Sequence, residues 1–162
     1  MGGFIITPLE YILAIFSVFV ISIGELGAGI FFGFLLELNP LVIGIASAIG
    51  AIFSAFVIIS VGEPIRIWIL AKLNKPKNDK NSLIRKIWEK YGIIGLGLLS
   101  PLLFGTPIGS TIGVALGAPK KDLLFWMSLG VFIWTIILTL AFIEGINLLE
   151  IFNNKNKFLI KI

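Results

Sequence analysis

Two charge-free apolar segments, residues 41–61 and 123–143, constrain this chain more than any other feature of its sequence. Each is about as long as the 20 or so apolar residues that a helix needs to cross a bilayer. Of all residues, 57% are hydrophobic and 14% are charged. A soluble domain of 162 residues could not bury so large an apolar share, because small domains bury less of their surface than large ones. The sequence therefore predicts one all-α integral membrane domain.

Four further apolar segments are too short to cross a bilayer as helices: residues 11–23, 30–38, 93–104 and 108–118. The first pair flanks Gly24-Glu25-Leu26-Gly27-Ala28-Gly29, and the second pair flanks Gly105-Thr106-Pro107. Glycine and proline interrupt helices. We therefore predict that each pair forms a re-entrant helical hairpin, which enters and leaves the bilayer on one side. Irregular backbone at that depth requires surrounding protein or a wet cavity.

The distribution of basic residues predicts the topology. Ten of them lie on the central loop or just before the last long segment: Arg66, Lys72, Lys75, Lys77, Lys80, Arg85, Lys86, Lys90, Lys120 and Lys121. If residues 93–118 are re-entrant, all ten share one side of the membrane, as the positive-inside rule favours. The basic loop is then cytoplasmic and both termini lie outside. The net charge of +4 favours anionic lipid headgroups, and not nucleic acid, as its partner.

The two halves of the chain look alike. A shift of 80 positions superposes Gly29 on Gly109, Gly33 on Gly113 and Gly50 on Gly130, and lays Asn39-Pro40 beside Ala118-Pro119. We predict a hairpin and a span in residues 1–62, a basic interfacial loop in 63–91, a second hairpin and span in 92–145, and a polar tail in 146–162. Within the loop, residues 65–73 and 83–91 suit amphipathic helices. One crossing between the halves makes this an inverted repeat, a plan typical of secondary transporters.

Several kinds of chemistry are excluded by composition. The chain has no Cys and no His, so it has no thiolate or imidazole metal site and no Ser–His or Cys–His catalytic pair. The predicted spans hold no paired carboxylates. We therefore expect no enzyme activity, no catalytic residue, no cofactor and no metal site.

Glu25 is the leading candidate for a functional residue. It lies in the break of the first predicted hairpin, and an intramembrane carboxylate costs roughly 3 kcal/mol unless it is hydrated, paired or protonated. Burial raises the pKa of carboxyl groups in general, which suits them to proton exchange. Glu25 is therefore predicted to couple protons or bind a cation. The alternative is a structural one, in which it caps a half-helix that starts near Gly29.

Other candidate residues of the substrate or ion pathway lie at the same two breaks. They are Gly27, Gly29, Ser100, Pro101, Gly105, Thr106, Pro107 and Gly109. Hydroxyls and freed backbone groups at broken helices can bind ions or polar headgroups. In the alternative interpretation, the hydroxyls satisfy backbone opened by the prolines and the glycines permit close helix packing.

Several motifs resemble the small multidrug export family of membrane proteins. They are Glu25-Leu26-Gly27-Ala28-Gly29-Ile30, Asn39-Pro40, Lys90-Tyr91-Gly92-Ile93-Ile94-Gly95, Pro101 with Gly105-Thr106 and Gly113, and Leu129-Gly130-Val131. The resemblance covers roughly residues 23–140. In place of the basic residue that the family pattern has after the first Glu-Leu, this chain has Gly27.

The chain also looks like a reduced relative of the DedA superfamily of transporters and lipid scramblases. That resemblance implies two facing re-entrant hairpins and an acidic residue linked to proton coupling, which by position is Glu25. The arginines that flank the second-hairpin proline in that superfamily are absent from Leu99-Ser100-Pro101-Leu102-Leu103.

These observations favour a transporter or lipid flippase in the plasma membrane of a prokaryote, with proton coupling through Glu25. The expected partners are membrane lipids and a second copy of the chain, because a hairpin exposed to lipid would leave backbone groups unsatisfied. The alternative function is that of a non-transporting assembly factor or scaffold, which the small-residue packing motifs and the basic loop fit equally well.

Overall fold

The computed structural model describes residues 7–62, 64, 67 and 83–159. Six helices have defined bounds in this part of the chain. They are α1 (Pro8–Gly24), α2 (Leu26–Leu35), α3 (Pro40–Ser60), α4 (Leu83–Leu103), α5 (Thr106–Ala115) and α6 (Lys120–Leu159). The predicted all-helical fold is therefore confirmed for the described residues.

Helix α3 and the stretch Lys120–Leu148 of α6 are long and apolar enough to cross a membrane. They contain the two long apolar segments of the sequence, so the prediction of two such helices is confirmed. Many of their apolar side chains face outward; Leu41, for example, is 76% exposed and Leu140 is 57% exposed. Such continuous apolar surface suits a lipid environment. Together, these features indicate an integral membrane protein.

Local capping chemistry fixes where the helices of the first half begin. Thr7 and Glu10 form a capping box at the start of α1, in which the Glu10 carboxylate accepts from the Thr7 N–H at 2.7 Å. Helix α3 starts after Asn39, whose side chain accepts from the Leu41 N–H at 2.9 Å. Pro40 follows at the first helical position, where its missing N–H has no consequence.

Each short helix folds back on the helix before it. A Cβ atom built on Gly29 of α2 would overlap Ser22 Oγ of α1, and one built on Gly109 of α5 would overlap Ser100 Oγ of α4. In a continuous helix, the seven positions between Ser22 and Gly29 or the nine between Ser100 and Gly109 would span about 10 Å or more. The chain therefore reverses at both breaks, and a glycine packed on a serine closes each helical hairpin.

The helix contacts of one half recur in the other. Helix α1 packs on α3 as α4 packs on α6, and α2 packs on α3 as α5 packs on α6. Between the halves, α3 contacts α5 as α6 contacts α2, and α3 packs directly on α6. Matching glycines make matching contacts: a Cβ on Gly33 would lie 2.8 Å from Ile43, and one on Gly113 would lie 2.6 Å from Leu123. Residues 80 positions apart in the sequence therefore occupy corresponding positions in the packing of the two halves.

The turn that ends α2 holds a strained residue. The Leu38 N–H donates to the Gly33 carbonyl at 3.2 Å, as in a Schellman motif, which places the preceding residue in the left-handed region. That residue is Glu37, with φ of 54°, whereas Gly117 fills the matching position after α5 with φ of 81°. A side chain in this conformation costs roughly 1–2 kcal/mol.

We expect Glu37→Gly to raise the free energy of unfolding by about 1 kcal/mol, because glycine adopts a positive φ without strain. Thermal melting of the purified protein in detergent measures the effect. Glu37→Ala removes the same carboxylate and keeps the Cβ, so it should give no gain. Equal melting temperatures for the two variants would show that the strain is negligible.

The two helix breaks are narrower than predicted. Helix α1 runs to Gly24 and α2 begins at Leu26, so the prediction that the second leg starts near Gly29 is wrong. The reason is the Glu25 side chain, which caps α2 at once and allows the glycines after it to be helical. Likewise, α5 begins at Thr106 with Pro107 in its first turn, where proline is tolerated.

Two regions outside the hairpins also differ in detail from the sequence pattern. Residues 83–91, predicted as an interfacial helix, are helical and join the rest of α4 through a kink at Gly92. The other predicted interfacial helix, residues 65–73, lies outside the described residues except for residue 67. Helix α6 continues to Leu159, through most of the predicted polar tail, since no proline or further glycine follows Gly145.

Candidate site at the two helix breaks

Glu25 links the first two helices and caps the second of them. Its carboxylate accepts hydrogen bonds from the backbone N–H groups of Gly27 at 3.0 Å and of Ala28 at 2.6 Å. Its own N–H donates to the Ile21 carbonyl at 3.0 Å, which closes the last turn of α1. A carboxylate at a helix N-terminus is stabilised by these amides and by the helix dipole. The capping role, given as the alternative in the sequence analysis, is therefore what the side chain does in this structure.

Gly105 forms the second break and has a backbone conformation restricted to glycine, with φ of 78° and ψ of 159°. It precedes α5 as Glu25 precedes α2, but no side chain caps the amides of α5. A Cβ built on Gly105 would lie 3.1 Å from the Gly24 carbonyl oxygen and 4.0 Å from Glu25 Cγ. The two breaks therefore meet. We call Gly24, Glu25, Gly105 and Thr106 the break junction.

The remaining predicted site residues fall into two groups. Gly27 and Pro107 lie in the first turns of α2 and α5, next to the break junction, and Thr106 begins α5 as part of the junction itself. Gly29, Ser100, Pro101 and Gly109 lie inside the hairpins, where Gly29 and Gly109 allow the close helix contacts described above. Ser100 is buried and donates to Met127 Sδ at 3.6 Å. For this second group, the structure gives contacts that close the hairpins.

Sequence reasoning missed a set of buried hydroxyl groups. Five hydroxyl oxygens have no hydrogen-bond partner among the described residues: those of Ser22, Ser47, Thr106, Ser110 and Thr139. Of these, only Thr106 belonged to the predicted site. Ser22 could have been noticed as a polar residue one turn before the first break. Ser110 lies one turn after Thr106 and directly follows the predicted site residue Gly109.

A separate apolar groove of about 500 Å³ lies between α3 and α6. Its lining includes Asn39, Gly44, Phe132, Thr135 and Thr139. It lies between the two helices that are long enough to cross a membrane. Glu25 is not part of its lining. In the described part of the chain, there is also no cluster of three or more acidic residues suited to a metal ion.

Comparison with known proteins gives one match. A family described as "Putative small multi-drug export protein" matches residues 25–137, which is more than half of the chain. The chain belongs to this family. The matched region starts at Glu25 and includes both breaks, α3 and much of α6. Neither a curated protein nor a solved structure matches the chain. The family and the long apolar helices indicate a transport protein located in a membrane.

Proposed function

We propose that this small multidrug export protein moves a lipid or a small amphiphile across the plasma membrane of a prokaryote, as a transporter or flippase of the DedA type. One observation carries the proposal: the two helix breaks meet, and the single carboxylate of the junction belongs to Glu25. Broken helices that meet between repeated halves are the usual place of substrate and ion sites in secondary transporters.

In this proposal, the two hairpins are re-entrant and the halves form an inverted repeat. Helices α1, of 17 residues, and α2, of 10 residues, are too short to cross separately. The recurrence of the main helix contacts under exchange of the halves supports a two-fold relation. The ten clustered basic residues then face the cytoplasm together, which agrees with the positive-inside rule.

Glu25 is the proposed carrier of a coupling proton. Its side chain is exposed in the single chain, so it can exchange protons with water or with substrate headgroups that reach the break. No basic side chain belongs to the break junction, so the Glu25 carboxylate has no cationic partner among the junction residues. Protonation would weaken its hydrogen bonds to α2 and thereby loosen the first hairpin.

We expect Glu25→Gln to abolish proton-dependent transport while the protein folds normally, because the amide oxygen can still accept one of the two capping hydrogen bonds. The assay is uptake or flipping of a fluorescent lipid analogue in proteoliposomes with an imposed pH gradient. Glu37→Gln, at the far end of α2, is the matched control and should retain transport. If Glu25→Gln purified normally and transported like the wild type, the coupling role would be wrong.

A non-transporting assembly factor or scaffold is the second proposed function. The groove between α3 and α6 favours it in one respect, since its lining does not extend to Glu25. The extensive outward-facing apolar surface would in that case bind partner helices or a second copy of the chain. Proteoliposomes that move no lipid analogue, with wild type and Glu25→Gln alike, would favour this function over transport.

A further inference from the structure

The break junction and its surroundings contain more polar atoms than the packing of the helices uses. The hydroxyls of Ser22, Thr106 and Ser110 are fully buried and have no hydrogen-bond partner among the described residues. Thr106 belongs to the junction, Ser110 follows it by one helical turn on the same side of α5, and Ser22 precedes Glu25 by one turn of α1. A buried hydroxyl without a partner is unfavourable, so we expect a bound ligand to contact these three groups.

The first hairpin shows that the fold itself does not require hydroxyls at these positions. Under the 80-residue shift, Leu26 corresponds to Thr106 and Ile30 corresponds to Ser110, and both aliphatic residues are fully buried. The same place in the architecture therefore accepts aliphatic side chains of similar or larger size. Hydroxyls in the second hairpin reduce packing and gain no hydrogen bond within the chain, which points to a ligand.

The charge of the junction selects the ligand. On the side of the first break its polar atoms are oxygens: the Glu25 carboxylate, which also caps the positive end of α2, and the Gly24 carbonyl at the negative end of α1. The second break adds the Thr106 hydroxyl and the uncapped amides of α5, and the only full charge at the junction is that of Glu25. A carboxylate would repel an anion, whereas carboxylate, carbonyl and hydroxyl oxygens together suit a hard cation. The two breaks are in close contact, because a Cβ on Gly105 would already approach the Gly24 carbonyl to 3.1 Å. A dehydrated ion fits there better than an organic cation.

We propose that the break junction binds a sodium ion through the Glu25 carboxylate, the Gly24 carbonyl and the Thr106 hydroxyl, with Ser22 and Ser110 on its buried side. Carbonyls freed at broken helices are known to serve as sodium ligands in transporters. The inference deepens the proposed function and rests on it for the role of the ion. In that role, sodium and the coupling proton occupy the Glu25 carboxylate in turn. The binding of the ion itself does not depend on transport.

The test is equilibrium binding of radioactive ²²Na⁺ to the purified full-length protein in detergent. We expect saturable binding that unlabelled sodium displaces and choline does not. Thr106→Val should weaken the affinity about tenfold, the equivalent of one hydrogen-bond-strength ligand. Thr139→Val is the matched control, because Thr139 also has an unpartnered hydroxyl but lies against Gly44 in the groove between α3 and α6. It should leave the affinity unchanged.

Absence of saturable binding, displacement by choline, or equal losses in the two valine variants would each overturn the proposal. Ser110→Ala provides a second variant if Thr106→Val fails to fold, and it should also weaken binding relative to Thr139→Val. The lipid-transport assay separates the two hypotheses. Sodium binding without transport would refute the proposed function alone, and proton-dependent transport without sodium binding would refute the sodium site alone.

Discussion

Gly130→Ala should destabilise the protein by about 2–3 kcal/mol, although alanine normally favours a helix. Gly130 lies in α6 where it packs closely against α4. A Cβ there would overlap the Gly97 carbonyl oxygen and lie 3.0 Å from Leu98 Cα. Both obstacles are backbone atoms, which cannot rotate away as a side chain could. The strain therefore exceeds the gain in helix propensity of up to about 1 kcal/mol.

Gly145→Ala is the matched control for this prediction. Gly145 lies in the same helix, and no atom of the described part of the chain lies within 4 Å of a Cβ built on it, so its substitution should leave the melting temperature equal or slightly higher. Gly50→Ala should behave like Gly130→Ala, because a Cβ on Gly50 would overlap the Phe19 carbonyl oxygen in the first half. Melting of the variants in detergent measures the effect. If Gly130→Ala and Gly145→Ala melted alike, the close approach of α4 and α6 would be wrong.

Gly105→Ala should both destabilise the protein and separate the two breaks. Its φ of 78° and ψ of 159° are essentially restricted to glycine, which amounts to a penalty of about 1–3 kcal/mol for any side chain. The added Cβ would also press on the Gly24 carbonyl oxygen at 3.1 Å. We expect a lower melting temperature and loss of transport, because Glu25 and α5 would no longer meet.

Gly92→Ala separates the effect of backbone strain from the effect of losing the contact between the two breaks. Gly92 also has a positive φ, of 57° with ψ of −144°, but no atom of the described residues lies within 4 Å of its built Cβ. Both variants therefore carry the conformational penalty, but only Gly105→Ala disturbs the contact with Gly24. Gly92→Ala should lose stability and retain transport in whatever fraction remains folded. Loss of transport in both variants per folded molecule would mean that the junction contact is not specific to function.

The elements that follow from local composition could be predicted from sequence. The long apolar helices are set by segment length, and the reversal points are set by Gly and Pro in otherwise apolar segments. The 80-residue shift paired Gly29 with Gly109 and Gly50 with Gly130, and the structure gives each pair the same kind of contact. Packing positions repeat because the halves bury the same helix faces.

The details of the candidate site could not be predicted in the same way. Which groups face each other at the break junction depends on how the first hairpin meets the second, and no local pattern encodes the contact between Gly24 and Gly105. The width of the first break depends on whether the Glu25 side chain caps α2. The local sequence does not decide which acceptor takes that place. The burial of Ser22 and Ser110 depends on packing across the two halves of the chain.

The most direct test of the account is the side of the membrane that each end of the second hairpin faces. The chain has no cysteine, so Lys90→Cys and Lys121→Cys can each be labelled singly with a membrane-impermeant maleimide in intact cells and in inverted vesicles. Glu10→Cys and Glu37→Cys report the first hairpin in the same way. The account predicts that positions 90 and 121 react from the cytoplasmic side and positions 10 and 37 from the outside. Labelling of positions 90 and 121 from opposite sides would contradict it.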